Sequence, residues 1–222
     1  MRGEFLHVGA LATGLLVGLG LVLPTARDHD LPFTLMVGVR RGVNPALRSA
    51  GDGVGRAEVA GIERMCRENP DVRFLATFLS RENQHELCVA ARKFSNLMPF
   101  GCWWFLNNQS IVAEITTERL ELLGTSFIPQ HSDARVLEQL IYKWRHARRV
   151  IAECLFNSYE QLMLAGRPVG RDDIERDVRR LFSRNFEEWV GLTVSASDDA
   201  QYENGEDVSS FPAASSQIVN LD

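Results

Sequence analysis

The sequence is poor in cysteine and lacks the common signature motifs of enzyme chemistry. Its four cysteines, Cys66, Cys88, Cys102 and Cys154, lie far apart and form no Cys-x-x-Cys pair. That pattern argues against a disulfide framework or a structural zinc cluster, and for reduced, mostly buried thiols in a cytoplasmic protein. Gly-x-Gly-x-x-Gly, a phosphate-cradling loop, Gly-x-Ser-x-Gly and His-Glu-x-x-His are all missing. Their absence removes the motif-based grounds for a dinucleotide, nucleotide-triphosphate, serine-hydrolase or zincin function. A His-x-His pair is missing too; the nearest approach, Asp28-His29-Asp30, precedes the first expected strand. Basic charge is not in excess. A net charge of -5 and a pI near 5.6 give nothing to hold nucleic acid or an anionic membrane.

What is present fits a globular protein. The 222 residues, 45% hydrophobic and 24% charged, suffice for one large domain or one domain with tails. From Phe5 to Pro24 the chain is nearly all apolar, interrupted by His7 and Thr13 and seeded with Gly9, Gly14, Gly18 and Gly20. About 20 such residues would just span a bilayer, and a shorter core would suit a signal peptide. Against both, Arg2 is offset by Glu4, and Pro24-Thr25-Ala26 is a poor cleavage site. The glycines also weaken a helix by about 1 kcal/mol each relative to alanine. Residues 1–23 are therefore set apart as an apolar segment, 24–192 as the folded region, and 193–222 as a disordered tail rich in Ser, Asp, Glu, Asn and Ala.

Between these ends the pattern alternates. Leu31–Val39 reads as a strand, followed by Arg40, Arg41 and a long loop to Gly55; Ala57–Glu68 has the apolar spacing of an amphipathic helix. Val72–Leu79 is a second strand, with a helix running to about Phe94. Leu97–Phe105 is a third strand ending in Trp103-Trp104, and Ser110–Leu123 a helix closed by Gly124. Thr125–Ile128 is a fourth strand, and Ser132 or Asp133 can cap a long helix over Ala134–Ala165. Gly166 and Pro168 end it, and Arg171–Val190 forms one more helix. Strand, loop and helix repeated in this way, with strands apolar on both faces, imply an α/β fold of about four βα units with parallel strands. That is half of an eight-unit barrel, or a small doubly wound sheet. A free-standing half barrel would expose strand edges and an apolar inner face.

Candidate chemistry collects at strand ends. The foremost is Thr125–Arg135, where an apolar strand runs into His131, Asp133 and Arg135. A carboxylate and a guanidinium at that place suit a metal or general-base role beside an anion clamp; helix capping by Asp133 with a solvated Arg135 is the alternative. Ser80-Arg81-Glu82-Asn83-Gln84-His85 follows the second strand. It reads as helix capping, with Arg81 able to reach an anionic group and His85 packed or solvated. Trp103 and Trp104 alternate across their expected strand, as core or as the wall of a sugar pocket. Arg40 and Arg41 either neutralise a carboxylate or are solvated, and His146 lies on a basic helix face.

Several motifs in one order resemble a known family. Leu79-Ser80-Arg81-Glu82-Asn83-Gln84-His85-Glu86-Leu87, Phe100-Gly101-Cys102-Trp103-Trp104-Phe105, Gly124–Tyr142 and Leu181-Phe182-Ser183-Arg184-Asn185-Phe186 are similar to the uronate (glucuronate) isomerases of the metal-dependent amidohydrolase superfamily. The likeness runs from about Leu21 through Val190. It implies the C-terminal half of a distorted TIM (β/α)8 barrel, and conversion of D-glucuronate to D-fructuronate or of D-galacturonate to D-tagaturonate. It implies that Asp133 binds the metal or handles protons and that Arg135 contacts the substrate. Trp103 and Trp104 match a tryptophan pair, and Arg41 falls where relatives carry a basic residue. The implied cofactor is a divalent metal, zinc, in a complete enzyme, and the implied partner a uronate sugar, with a homo-oligomer among the admissible assemblies. The family's His-x-His pair has no counterpart here, so one aspartate remains where a zinc site needs about three protein ligands. The readings are then an isomerase as a truncated chain, a non-catalytic remnant or fragment needing its missing half, and a membrane-tethered or exported fragment. For residues 5–24, a misassigned start is the simpler account.

Overall fold

The computed structural model describes residues 18–192, which lie in the first of the two units into which the chain divides, Met1–Leu192 and Thr193–Asp222. The tail expected over 193–222, and the apolar segment up to residue 17, lie outside the described residues. No helix among the described residues is long and apolar enough to cross a membrane.

A π-helical turn at Gly18–Val22 runs into α1 (Leu23–Asp28), whose Leu23 and Ala26 are buried. The first strand, β1 (Phe33–Val37), is shorter than its apolar run suggested. Gly38 interrupts it at φ 102°, a backbone conformation that side chains resist, and a Cβ there would press on the Gly55 carbonyl and the Leu79 amide. The chain then enters a small antiparallel ribbon, β2 (Val39–Arg40) with β3 (Gly53–Val54), inside the segment expected to be a plain loop. Next come α2 (Ala60–Glu68), β4 (Phe74–Phe78), α3 (Gln84–Ala91) and β5 (Leu97–Pro99). They are followed by α4 (Gln109–Leu123), α5 (Leu137–Leu164), α6 (Arg171–Arg179) and α7 (Asn185–Trp189), the last two joined through a π-helical turn at Arg180–Arg184.

Three strands form a parallel sheet in the order β1-β4-β5, with Phe33 opposite Phe74 and Phe74 opposite Leu97. The expected fourth strand contributes a single parallel bridge, Ile128 to Phe100. Its amide bonds to the Pro99 carbonyl at 3.1 Å and its carbonyl accepts from Gly101 at 2.7 Å. The carbonyls of Thr125 and Phe127 accept instead from the Asn185 amide, at 2.5 and 2.8 Å.

The two faces of the sheet are unequally covered. Phe74, Ala76, Phe78 and Leu97 pack beneath Val59, Ile62 and Cys66 of the α2 side and Leu87 and Ala90 of α3. Full burial of each large side chain there contributes about 1.5–3 kcal/mol. On the other face Leu75, Met98 and Phe100 meet Ile128 and Trp189. Met36 of β1, also on that face, is 45% exposed. Strand β1 has no neighbour beyond it among the described residues. This is a mixed α/β arrangement around a parallel sheet.

Two local expectations are corrected. The stretch from Gly101 to Phe105 is not strand: β5 ends at Pro99 and Phe100 adds one bridge, Gly101 turns at φ 73°, and Trp104 opens a short 3-10 turn at φ 48°. Trp103 and Trp104 therefore do not alternate across a sheet. Neither Ser132 nor Asp133 caps the long helix, which starts at Leu137 behind an extended Val136 with no side-chain cap. Asp133 is in the left-handed region, φ 45°, four residues before the helix begins at Leu137.

Candidate functional site

The parallel strands deliver Thr77, Trp103 and His131 to one end of the sheet. Thr77 interrupts an otherwise apolar strand, is fully buried, and accepts a 3.0 Å hydrogen bond from the Trp103 indole. Trp103 in turn meets His131 edge-on, ring centres 5.7 Å apart, and Phe100 meets the same ring at 5.6 Å. Gly101 makes this closeness possible, since a Cβ there would stand 2.5 Å from His131 Cβ. Trp104 leans on Trp103 at 6.0 Å, stacks on Phe105 at 4.6 Å, and carries the Arg41 guanidinium 5.9 Å from its ring centre.

His131 and Gln130 introduce the polar part. Burial holds the His131 imidazole below its usual pKa, against the pull of Asp133 and with Lys143 adding to the depression. Its Nδ1 and the Gln130 Oε1 are buried without a hydrogen-bond partner, a state proteins seldom leave unused. Asp133 is half-buried. Its backbone carbonyl accepts from Lys143 Nζ at 3.0 Å, and the Arg135 amide donates to Gln139 Oε1 at 2.9 Å. The Asp133 carboxylate and the Arg135 guanidinium make no hydrogen bond or ion pair among the described residues. A left-handed aspartate with a free carboxylate, tethered through its carbonyl, is a place where backbone strain has been retained. A cavity of about 480 Å3 adjoins this end, lined by His131, Gln130, Phe100, Leu75, Thr34 and Met36. Its size is that of a small-molecule site.

The other candidates are placed differently. Arg81 forms a bidentate pair with Glu114, its Nε and Nη2 at 2.8–3.0 Å, and that partner holds its pKa above the usual value. His85 Nδ1 lies 2.6 Å from Glu118. Arg41 pairs with Asp52, whose carboxyl is held below its usual range first by the Gly42 amide and then by Arg41. Trp103, Trp104, Arg41 and His131 thus form one connected group, and Asp133 and Arg135 follow His131 directly in the chain. Arg81 stands apart from that group. Thr77, Gln130 and Lys143 are additions that the sequence reading missed. A threonine inside Phe-Leu-Ala-Thr-Phe was the available signal.

A divalent metal of the zinc type takes about three protein ligands plus water or substrate. Among the described residues no three of His, Cys, Asp and Glu come together. His131 and Asp133 supply two donors at most. The described residues do not by themselves fit a zinc site.

Solved structures share this fold. A uronate isomerase from Bacillus halodurans C-125 is 55% identical, with a TM-score of 0.78, over 83% of this chain and 44% of that one. A uronate isomerase from Thermotoga maritima (TM-score 0.63, 16% identity, 74% of this chain and 38% of that one) shares the fold. So does the glucuronate isomerase from Caulobacter crescentus (TM-score 0.64, 18% identity, 77% and 37%). No protein-family model and no curated protein matches the sequence. The chain spans less than half the length of each of these three proteins. By its identity to the first of them and the fold common to all three, the chain belongs to the uronate isomerase family and spans part of that family's length.

Proposed function

We propose that this chain carries one edge of a uronate isomerase active site, built on the C-terminal half of a distorted (β/α)8 barrel. The 55% identity over 83% of the chain carries the reading, and the free carboxylate of Asp133 beside the free guanidinium of Arg135 gives it chemistry. The reaction class is aldose–ketose isomerisation of D-glucuronate to D-fructuronate, or of D-galacturonate to D-tagaturonate. In it Asp133 takes the proton from C2 of the open-chain aldose, and the electron pair passes into an enediolate. The same carboxyl returns the proton to C1 while the hydroxyl proton moves from O2 to O1. Arg135 binds the sugar's carboxylate or the developing negative charge with a charge-assisted, two-pronged hydrogen bond. Trp103 and Trp104 wall the sugar, with Arg41 behind Trp104. Arg81 takes part only by leaving Glu114. Reduced, buried cysteines fit the cytoplasm as its setting.

The short donor set and the 44% span favour a second reading beside the first, a fragment that is inert until the remainder of the fold is supplied. One experiment separates them. The full chain is incubated with D-glucuronate alone, and again with the portion of the Bacillus halodurans enzyme that it does not span. Ketose formation is followed in both. Turnover is expected only in the mixture, falling by roughly 10²–10⁴-fold with Asp133→Asn, the contribution of a general base. Asparagine is chosen because it also tolerates the left-handed backbone at this position. Wild-type-like turnover by the variant overturns the role of Asp133. No turnover in any combination leaves a non-catalytic remnant.

A further inference from the structure

Arg119 is the most deeply buried charge among the described residues. It projects from α4 with 1% of its surface exposed and has no carboxylate partner. One nitrogen, Nη2, donates to Gln84 Oε1 at 3.0 Å, while Nε and Nη1 meet no acceptor. The guanidinium carbon stands 5.9 Å from the centre of the Phe127 ring, and its charge opposes the burial that pushes the Cys88 and Cys102 thiols up. An apolar residue of similar volume at such a place is often neutral or stabilising, because it avoids desolvating a charge. Stability therefore does not explain an arginine here.

Its contacts do. Gln84, held by Arg119, passes two hydrogen bonds to the carbonyls of Phe78 (2.9 Å) and Ser80 (3.1 Å), where β4 ends. Phe78 is next to Thr77, which accepts the Trp103 indole hydrogen bond, so Arg119 stands behind that bond. Phe127, its other contact, leads through Ile128 to His131. We propose that Arg119 is a positioning residue that holds two strand ends, that of β4 and that at Phe127, in register from behind, and through them fixes Trp103 against His131. The significance for uronate turnover rests on the function proposed above, but the placement itself does not.

The test is hydrogen exchange of the indole N–H groups, followed by nuclear magnetic resonance on the full chain without substrate, so a failed turnover assay would not affect it. In Arg119→Met the thermal midpoint is expected to stay within about 4 °C of the natural chain or to rise. The Trp103 indole should exchange at least roughly tenfold faster, with Trp104, Trp144 and Trp189 unchanged. Arg119→Lys, which keeps the charge but loses the planar fork, should release Trp103 in the same way. Unchanged Trp103 protection in either variant overturns the proposal. So does a uniform loss at all four indoles with a falling midpoint, which marks general packing alone. Should Arg119→Met fail to fold, Gln84→Leu cuts the same link and is read by the same criteria: selective release of Trp103 supports the proposal, and any other pattern overturns it.

Discussion

Two polar runs leave the sheet in similar words and end in different states. After β4 the chain reads Ser80-Arg81-Glu82-Asn83-Gln84-His85, and after Ile128 it reads Gln130-His131-Ser132-Asp133-Ala134-Arg135. In the first, every side chain has an internal partner. Ser80 donates to Glu82, Arg81 grips Glu114, and Asn83 bonds both the amide and the carbonyl of Ala57 at 2.9 Å. Gln84 ties the strand end, and His85 meets Glu118. In the second, the His131 Nδ1 and Gln130 Oε1 are orphaned, and the Asp133 carboxylate and Arg135 guanidinium make no bond among the described residues. The first run spends its polar groups on the fold. The second keeps them for something else, at the cost of a strained aspartate.

The sharpest break of that comparison is a pair of arginines. In the reconstituted mixture, Arg135→Met should lower kcat/KM by roughly 10–100-fold, the magnitude of one lost hydrogen-bonded charge contact. Arg81→Met should leave it within about twofold and change stability little, because solvent screens an exposed pair. Steady-state kinetics with D-glucuronate decide it. Equal losses from both would erase the distinction between the runs.

Much of the fold was legible because periodicity reports burial. The apolar runs around Phe33–Val37 and Phe74–Phe78 gave the parallel pair, and Val59, Ile62 and Cys66 gave the face of α2. Legibility failed where one residue's backbone decides. Pro99 with Gly101 ended a strand that looked continuous through Phe105, and the fourth strand came down to one bridge. The site followed the same rule. His131, Asp133 and Arg135 could be picked out because they stand at a strand end, yet Asp133 looked equally like a helix cap. Pairing of Arg81 with Glu114, 33 residues away, leaves no trace in local sequence. Neither does the convergence of Arg119, Gln84 and Phe127.

A smaller effect belongs to Asn83, which is fully buried. Asn83→Ala should cost about 1–3 kcal/mol, because both polar groups of Ala57 lose their partner inside the fold. In a protein of this length each kcal/mol lowers the thermal midpoint by about 2–4 °C. Scanning calorimetry or thermal circular dichroism measures it. Asp133→Asn, in the same assay, should be neutral or better, since it relieves no internal bond and keeps a residue suited to the left-handed backbone. A large loss of stability at Asp133 would mean that the second run is structural after all.

The smallest effect concerns acid. The Ser80 hydroxyl, then its own backbone amide, hold the Glu82 carboxyl below its ordinary value of 4.5, against the opposing effect of desolvation. A depressed carboxyl binds fewer protons in the folded chain than in the unfolded one. Its contribution is therefore complete above about pH 4.5 and is lost as the pH falls through the lowered value. Glu82→Gln should leave the midpoint at pH 7 slightly reduced and make the decline below that pH shallower than in the natural chain. Thermal midpoints measured from pH 7 down to about pH 3 would show the two curves converging at the acid end. Curves that stay parallel would mean that the Ser80–Glu82 bond does not form in solution, and the first run would lose one of the internal bonds that set it apart from the second.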